Sequence, residues 1–142
     1  MRQKSEAQKY LEQVEKIEFI IRNKLIEKKQ WLDIALGITA NTEGERVQSS
    51  GSQSRMADAV GKCVDVEREI DEYVDKLIDT KRDVTQTIEQ LDSPTEYRLL
   101  HLRYIQYVAL IDIAVDWGVD YSTVTTTHGR ALKHVQEILD RR

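Results

Sequence analysis

The side chains that could do chemistry in this 142-residue chain are few: three histidines, one cysteine, and acids spread along stretches of helical spacing. Cys63 stands alone, which excludes an internal disulfide or a zinc site built from cysteines. It falls on an apolar helical stripe, where a small core residue is expected. His101 and His134 have no carboxylate or cysteine at metal-ligand spacing, and His128 falls among apolar neighbours. A packed histidine with one hydrogen bond is expected at 128, and no metal is assigned. The chain has no glycine-rich phosphate loop, no nucleophile elbow and no paired carboxylates off a helix surface, so no catalytic residue and no cofactor are assigned.

What remains is the chemistry of recognition, concentrated in "DYSTVTTTHGRALKHV", Asp120 to Val135. By propensity its threonines favour strand, and Gly129 weakens a helix. Periodicity favours helix: Val124, Ala131, Leu132, Val135, Ile138 and Leu139 share one face at about 100° per residue, with His128 among them. The opposite face collects Ser122, Thr126, Gly129, Arg130, Lys133 and Glu137. Arg130 and Lys133 could meet phosphates or guanine, while Thr123, Thr125 and Thr126 offer hydroxyls and methyls to bases. Tyr121 and Ser122, at the helix start, are placed to touch a phosphate. Gly129 would let the backbone approach a duplex closely. Arg103 is expected either on a backbone phosphate or paired with an acid such as Glu96 or Asp112.

Such a face needs a helix held at a fixed angle, and "LIDIAVDWGVDYSTV" has the grammar of a helix-turn-helix. Ala114 is small where two helices must approach. Gly118 can take the left-handed conformation of a tight turn, Val119 is expected to plug the corner, and Ser122 to cap the next helix. Upstream, "LDSPTEYRLL" reads as a helix start, with Ser93 as N-cap, Pro94 at the first position and Glu96 completing a capping box.

Two longer segments come first. Leu11, Val14, Ile17, Ile21, Leu25, Leu32 and Leu36 recur at helical spacing up to Gly37. Asn41 to Arg55, rich in Ser, Gln and Gly, is expected as a flexible loop. A heptad seam follows through Met56, Val60, Cys63, Glu67, Ile70, Val74, Leu77, Lys81, Val84, Ile88 and Leu91, interrupted only by Glu67 and Lys81. Such a stripe needs a partner: either the first segment folded back as an antiparallel hairpin, which is favoured together with further self-association, or a second copy of the chain. The tryptophans, Trp31 and Trp117, read as core anchors.

The fold expected is therefore all-α: a long, coiled-coil-like antiparallel hairpin over residues 1–92, with a loop at about 38–55, then a helix-turn-helix module over 93–142. The net charge is −4. Residues 1–92 carry 15 basic and 19 acidic side chains, and 93–142 carry 6 of each, so the acidity belongs to the hairpin. A DNA-binding C-terminus stays open without a strongly basic surface to draw it to DNA. No apolar run approaches membrane-spanning length, and "MRQK" is followed by Glu and Gln rather than a signal core. A cytoplasmic protein is expected.

The string "LRYIQYVALIDIAVDWGVDYSTVTTTHGRAL" resembles the region-4-type helix-turn-helix of sigma factors. Nearly the whole chain is similar to small phage-encoded transcriptional regulators of the RinA/ArpU type. The resemblance is carried by Arg103-Tyr104, Ile113-Ala114, Tyr121-Ser122, His128 before Ala131-Leu132, and the "SQSRMADAV" entry to the heptad helix. It departs at Ala109-Leu110, where such proteins often have Ser or Thr and then Trp, and at Thr125 and Thr126, where they carry arginine or lysine. The resemblance implies a regulator of transcription in a bacterial host, an activator of late genes, binding double-stranded promoter DNA. Further partners would be host RNA polymerase and further copies of the chain, as a homodimer or higher homo-oligomer. Two other roles suit the same residues: a helical adaptor that meets polymerase or another phage protein without reading DNA, and a DNA-packaging component of the small-terminase kind.

Overall fold

A computed structural model describes residues 3–37 and 50–142 of the chain. Among the described residues the elements are helical throughout: α1 (Glu6–Ala35), α2 (Ser50–Ile88), α3 (Pro94–Leu100) running into a π-helical turn (His101–Ile105), α4 (Leu110–Trp117) and α5 (Tyr121–Asp140). The all-α class expected from composition and periodicity is the one observed. The packing forms two compact units, one of residues 3–17 with Leu77–Arg142 and one within Glu18–Lys76. This grouping differs from the expected division at residue 92, because the outer ends of α1 and α2 belong with the C-terminal helices.

Within Glu18–Lys76, α1 and α2 form an antiparallel hairpin. Lys24 Nζ lies 3.4 Å from Glu69, Lys28 Nζ 3.7 Å from Glu67, and the Cys63 thiol 3.8 Å from the Lys28 carbonyl. Position rises along one helix as it falls along the other. The seam, however, is displaced from the expected one. On α2 the inward residues are Ala59, Cys63, Val66, Ile70 and Tyr73, while Met56, Val60, Glu67 and Val74 face outward. On α1, Leu25, Leu32 and Leu36 are exposed, and Lys24, Lys28, Trp31 and Ala35 continue the seam from Ile21. The physical reason is visible at Glu67: a one-residue shift in alternate positions exchanges a buried carboxylate for Val66, which burial cost favours.

Of the expected loop, Asn41–Ser49 lies outside the described residues, whereas Ser50–Arg55 is the first part of α2. Once packed heptads have nucleated a helix, its extension adds one hydrogen bond per residue fixed, so polar residues of modest propensity are carried along.

In the other unit the start of α1 is capped by Ser5, whose hydroxyl accepts from the Gln8 amide at 3.1 Å. Ala7, Leu11 and Val14 of α1 meet Val84 and Ile88 of α2 and Leu100, Tyr104, Ile105, Ala131 and Val135 from the C-terminal helices in one core cluster. Tyr10 adds hydrogen bonds to Asp83 at 2.6 Å and Thr87 at 2.8 Å. The fully buried Thr87 hydroxyl is held by Tyr10, by the Asp83 carbonyl and by Arg142.

Candidate nucleic-acid interface

The helix-turn-helix is built from α4 and α5, with α3 packed against the latter. Leu99, Ile113, Ala114 and Val124 make its buried centre, with Leu102, Val108, Leu110 and Trp117 partly buried around them. Ala114 thus holds the close-approach position its size suggests. Gly118 ends α4 at φ 66°, ψ 35°. Its amide bonds to the Val115 carbonyl at 3.2 Å, and the Val119 amide reaches back to Ala114 at 3.1 Å, a Schellman closure. A Cβ at Gly118 would meet nothing within 4 Å, so the need for glycine there is conformational. Gly118→Ala is expected to destabilise the protein by about 1–2 kcal/mol, the cost of a left-handed L-residue. Gly129, in the interior of α5 with equally open space, is expected to gain about 1 kcal/mol as alanine. Chemical denaturation of the two single variants checks the opposite signs.

Four expectations about local chemistry are corrected. Ser122 does not cap α5: the helix begins at Tyr121, with Asp120 as the extended residue before it and no side-chain cap bond. Val119 does not plug the corner but is 40% exposed. Ser93 does cap α3, accepting from the Glu96 amide at 3.2 Å, yet the Glu96 carboxylate turns to His134 Nδ1 at 2.7 Å. Nor does Arg103 pair with Glu96 or Asp112. Its guanidinium lies 3.6 Å from Glu15 of α1 and 5.2 Å from the Tyr104 ring centroid.

The break before α4, unmarked by a cap or glycine, is made by backbone. The π-helical turn ends with the Gln106 amide on the His101 carbonyl at 3.1 Å. Tyr107 then takes φ 62°, an unfavourable conformation for a side-chain-bearing residue, with its ring packed against the core cluster. No residue type at 106–109 announces this, so sequence periodicity could not find it.

His128 is packed as expected. Its Nε2 shares a 2.6 Å hydrogen bond with the Tyr104 hydroxyl, the rings stack at 5.7 Å, and burial holds the imidazole below its ordinary pKa. His134 is shifted the other way, upward, by its hydrogen bond to Glu96. Glu96 itself is 4% exposed. A histidine whose folded pKa exceeds its unfolded one, about 6.5, contributes stability that is complete below that value. The contribution is lost as pH rises through the raised folded pKa. The stability difference between wild type and His134→Gln is therefore expected to be largest below about pH 6.5 and to shrink as pH rises through the raised folded pKa. Melting curves across that range read it; a gap that widens with pH would refute the assignment. No group of His, Cys, Asp or Glu fit to hold a metal ion occurs among the described residues.

The candidate contact residues fall into two sets. Ser122, Thr126, Arg130 and Lys133 are exposed on the face of α5 opposite Val124, Ala131 and Val135, with Thr123 beside them and Tyr121 half-exposed at the helix start. No ion pair engages Arg130 or Lys133 among the described residues. Thr125 lies apart, partly buried, its hydroxyl donating to the Ser122 carbonyl at 3.1 Å, and Thr127 does the same to Thr123 at 2.8 Å. Such back-bonding lets threonines sit in a helix despite their strand propensity. Arg103, held between Glu15 and Tyr104, stands outside the α5 strip. On α4, Ile111 and Val115 turn outward, 58% and 74% exposed, a feature that core-directed periodicity did not single out. Comparisons of the chain with protein-family models, with curated proteins and with solved structures give no match.

Proposed function

We propose that the protein binds double-stranded DNA through α5 and acts as a transcriptional regulator of the phage or prophage kind, with a binding rather than a catalytic role. The observation that carries this reading is the outward strip Ser122, Thr126, Arg130 and Lys133, on a helix fixed by the Gly118 turn, whose two cations have no ion pair among the described residues. Hydroxyls, methyls and a guanidinium at one-turn spacing suit base edges in a major groove, and the N-terminus of α5 suits a phosphate. The charge is thin, and Asp116, Asp120 and Glu137 lie close in sequence, so affinity is modest and falls with salt. Promoter recognition and activation of late genes follow from the resemblance to RinA/ArpU-type regulators. Fluorescence anisotropy with promoter fragments and shuffled duplexes at moderate salt tests the reading. A clear preference for one promoter fragment is expected; equal binding to all duplexes, or none, would end it.

A second reading has its own observation. Ile111, Val115 and Val119 form an exposed apolar group on the helix-turn-helix, which suits a protein partner such as RNA polymerase. An Ile111→Glu, Val115→Glu variant that loses polymerase capture while keeping its DNA shift would support this adaptor role beside DNA binding.

A further inference from the structure

The hairpin within Glu18–Lys76 has a thin interior. Ile21, Ala35, Ala59, Val66 and Ile70 are buried there, and lysines hold two seam positions of α1. Much of its apolar surface lies outside instead. Leu25, Leu32 and Leu36 on α1 and Val60, Val64 and Val74 on α2 are exposed, Leu32 by 44% and Val60 by 52%.

These six residues share a geometric rule. Each directly follows a seam residue: Leu25 after Lys24, Leu32 after Trp31, Val60 after Ala59, Val74 after Tyr73. One residue is a rotation of about 100°. Because the two helices run antiparallel, that same rotation turns both stripes onto the same face of the hairpin; in a parallel pair it would turn them to opposite faces. The residues that precede the seam of α2 show the reverse character. Asp58, Lys62, Asp65, Glu69, Glu72 and Lys76 are all charged and exposed. One face therefore carries these six apolar residues, while the α2 flank of the other is wholly charged.

We propose that the apolar face binds the same face of a second copy of this chain, giving a two-fold four-helix bundle. Charge selects that occupant. On the apolar face α1 carries Arg22 and Lys29, and α2 carries Glu67 and Asp71, each again one residue past the seam. A two-fold that lays α1 of each copy over α2 of the other sets cations against carboxylates and leucines against valines. The pairs these charges already make, Arg22 with Glu18 at 3.9 Å, Lys29 with Asp33 at 3.2 Å and Glu67 with Lys28 at 3.7 Å, are long or solvent-screened and weak competitors. Size also fits. The α1 stretch spans about 28 Å and the pair is about 20 Å wide. That is roughly 600 Å² in projection and more as accessible surface, near the roughly 800 Å² per partner that a stable dimer buries.

Light scattering and sedimentation equilibrium of the full chain decide it. Wild type is expected at twice the 16.5 kDa chain mass at tens of micromolar, a Leu32→Glu, Val60→Glu variant at the monomer mass with its helical circular dichroism kept. Ile26→Glu, on the far side of α1, should remain dimeric. Arg22→Glu, at an exposed position, should weaken association about tenfold or more, and adding Asp71→Arg should restore most of the loss. A monomeric wild type, a mass unchanged by Leu32→Glu with Val60→Glu, or failure of the charge exchange to restore association would each overturn the proposal. So would a monomer that associates only with another protein.

Discussion

Tyr104→Ala is expected to cost about 3–5 kcal/mol of folding stability, as deletion of a fully buried aromatic ring does. The ring is 1% exposed and packs where Leu11 and Val14 of α1, Val84 and Ile88 of α2, and Ala131 and Val135 of α5 converge. Its hydroxyl shares a hydrogen bond with His128 Nε2 at 2.6 Å, and burial pushes the phenol well above its ordinary pKa. The phenol therefore keeps its proton, and partial burial of the imidazole favours its neutral form. Tyr104→Phe separates packing from polarity: it keeps the ring, leaves His128 Nε2 without its partner, and should cost about 1–3 kcal/mol. Urea unfolding followed by far-ultraviolet circular dichroism reads both variants. If Tyr104→Phe loses as much as Tyr104→Ala, the hydrogen bond rather than the packing dominates.

The class of the fold was legible because heptad spacing over α2 and alternation of Leu, Val and Ile over α1 leave little choice but helix. The register was not. Leu25, Leu32, Val60 and Val74 extend a stripe as regular as the true seam, since residues one apart on a helix each support a plausible apolar line. Glu67 and Lys81 were the signal: a seam that must bury two charges competes with one, a residue away, that buries Val66 and half-buries Thr80 instead. The two overlapping lines suggest why both exist, one closing the hairpin and the other left on its surface.

At the candidate interface, the turn was legible because Gly118 and Ala114 each answer a steric demand local in sequence. The Glu96–His134 and Arg103–Glu15 pairs were not, because they join residues 38 and 88 positions apart. Nothing in residue type distinguishes Glu96 bonded to its own helix start from Glu96 bonded to α5. The split among the threonines is legible only in part: face periodicity separates Thr126 from Thr125, but the back-bond of Thr125 to Ser122 needs the helix itself.

Replacing both Arg130 and Lys133 by alanine is expected to lower affinity for the preferred duplex tens- to hundreds-fold, with the fold intact. Both side chains are exposed and unpaired among the described residues, so their loss leaves no buried group unsatisfied. The single variants should fail differently. Loss of a guanidinium that meets guanine costs about 1–3 kcal/mol and relaxes preference at one base pair. Loss of an ammonium on phosphate weakens all sequences alike and lowers the salt slope by about one. Which residue shows which pattern assigns Arg130 and Lys133 between base and backbone. Gly129→Ala completes the set, since it should stabilise the free protein while weakening DNA binding if the backbone approaches the duplex there. Anisotropy titrations at two or three salt concentrations read all four variants. Unchanged binding in the double variant would remove α5 from the interface and leave the exposed Ile111–Val115 face of α4 as the stronger recognition surface.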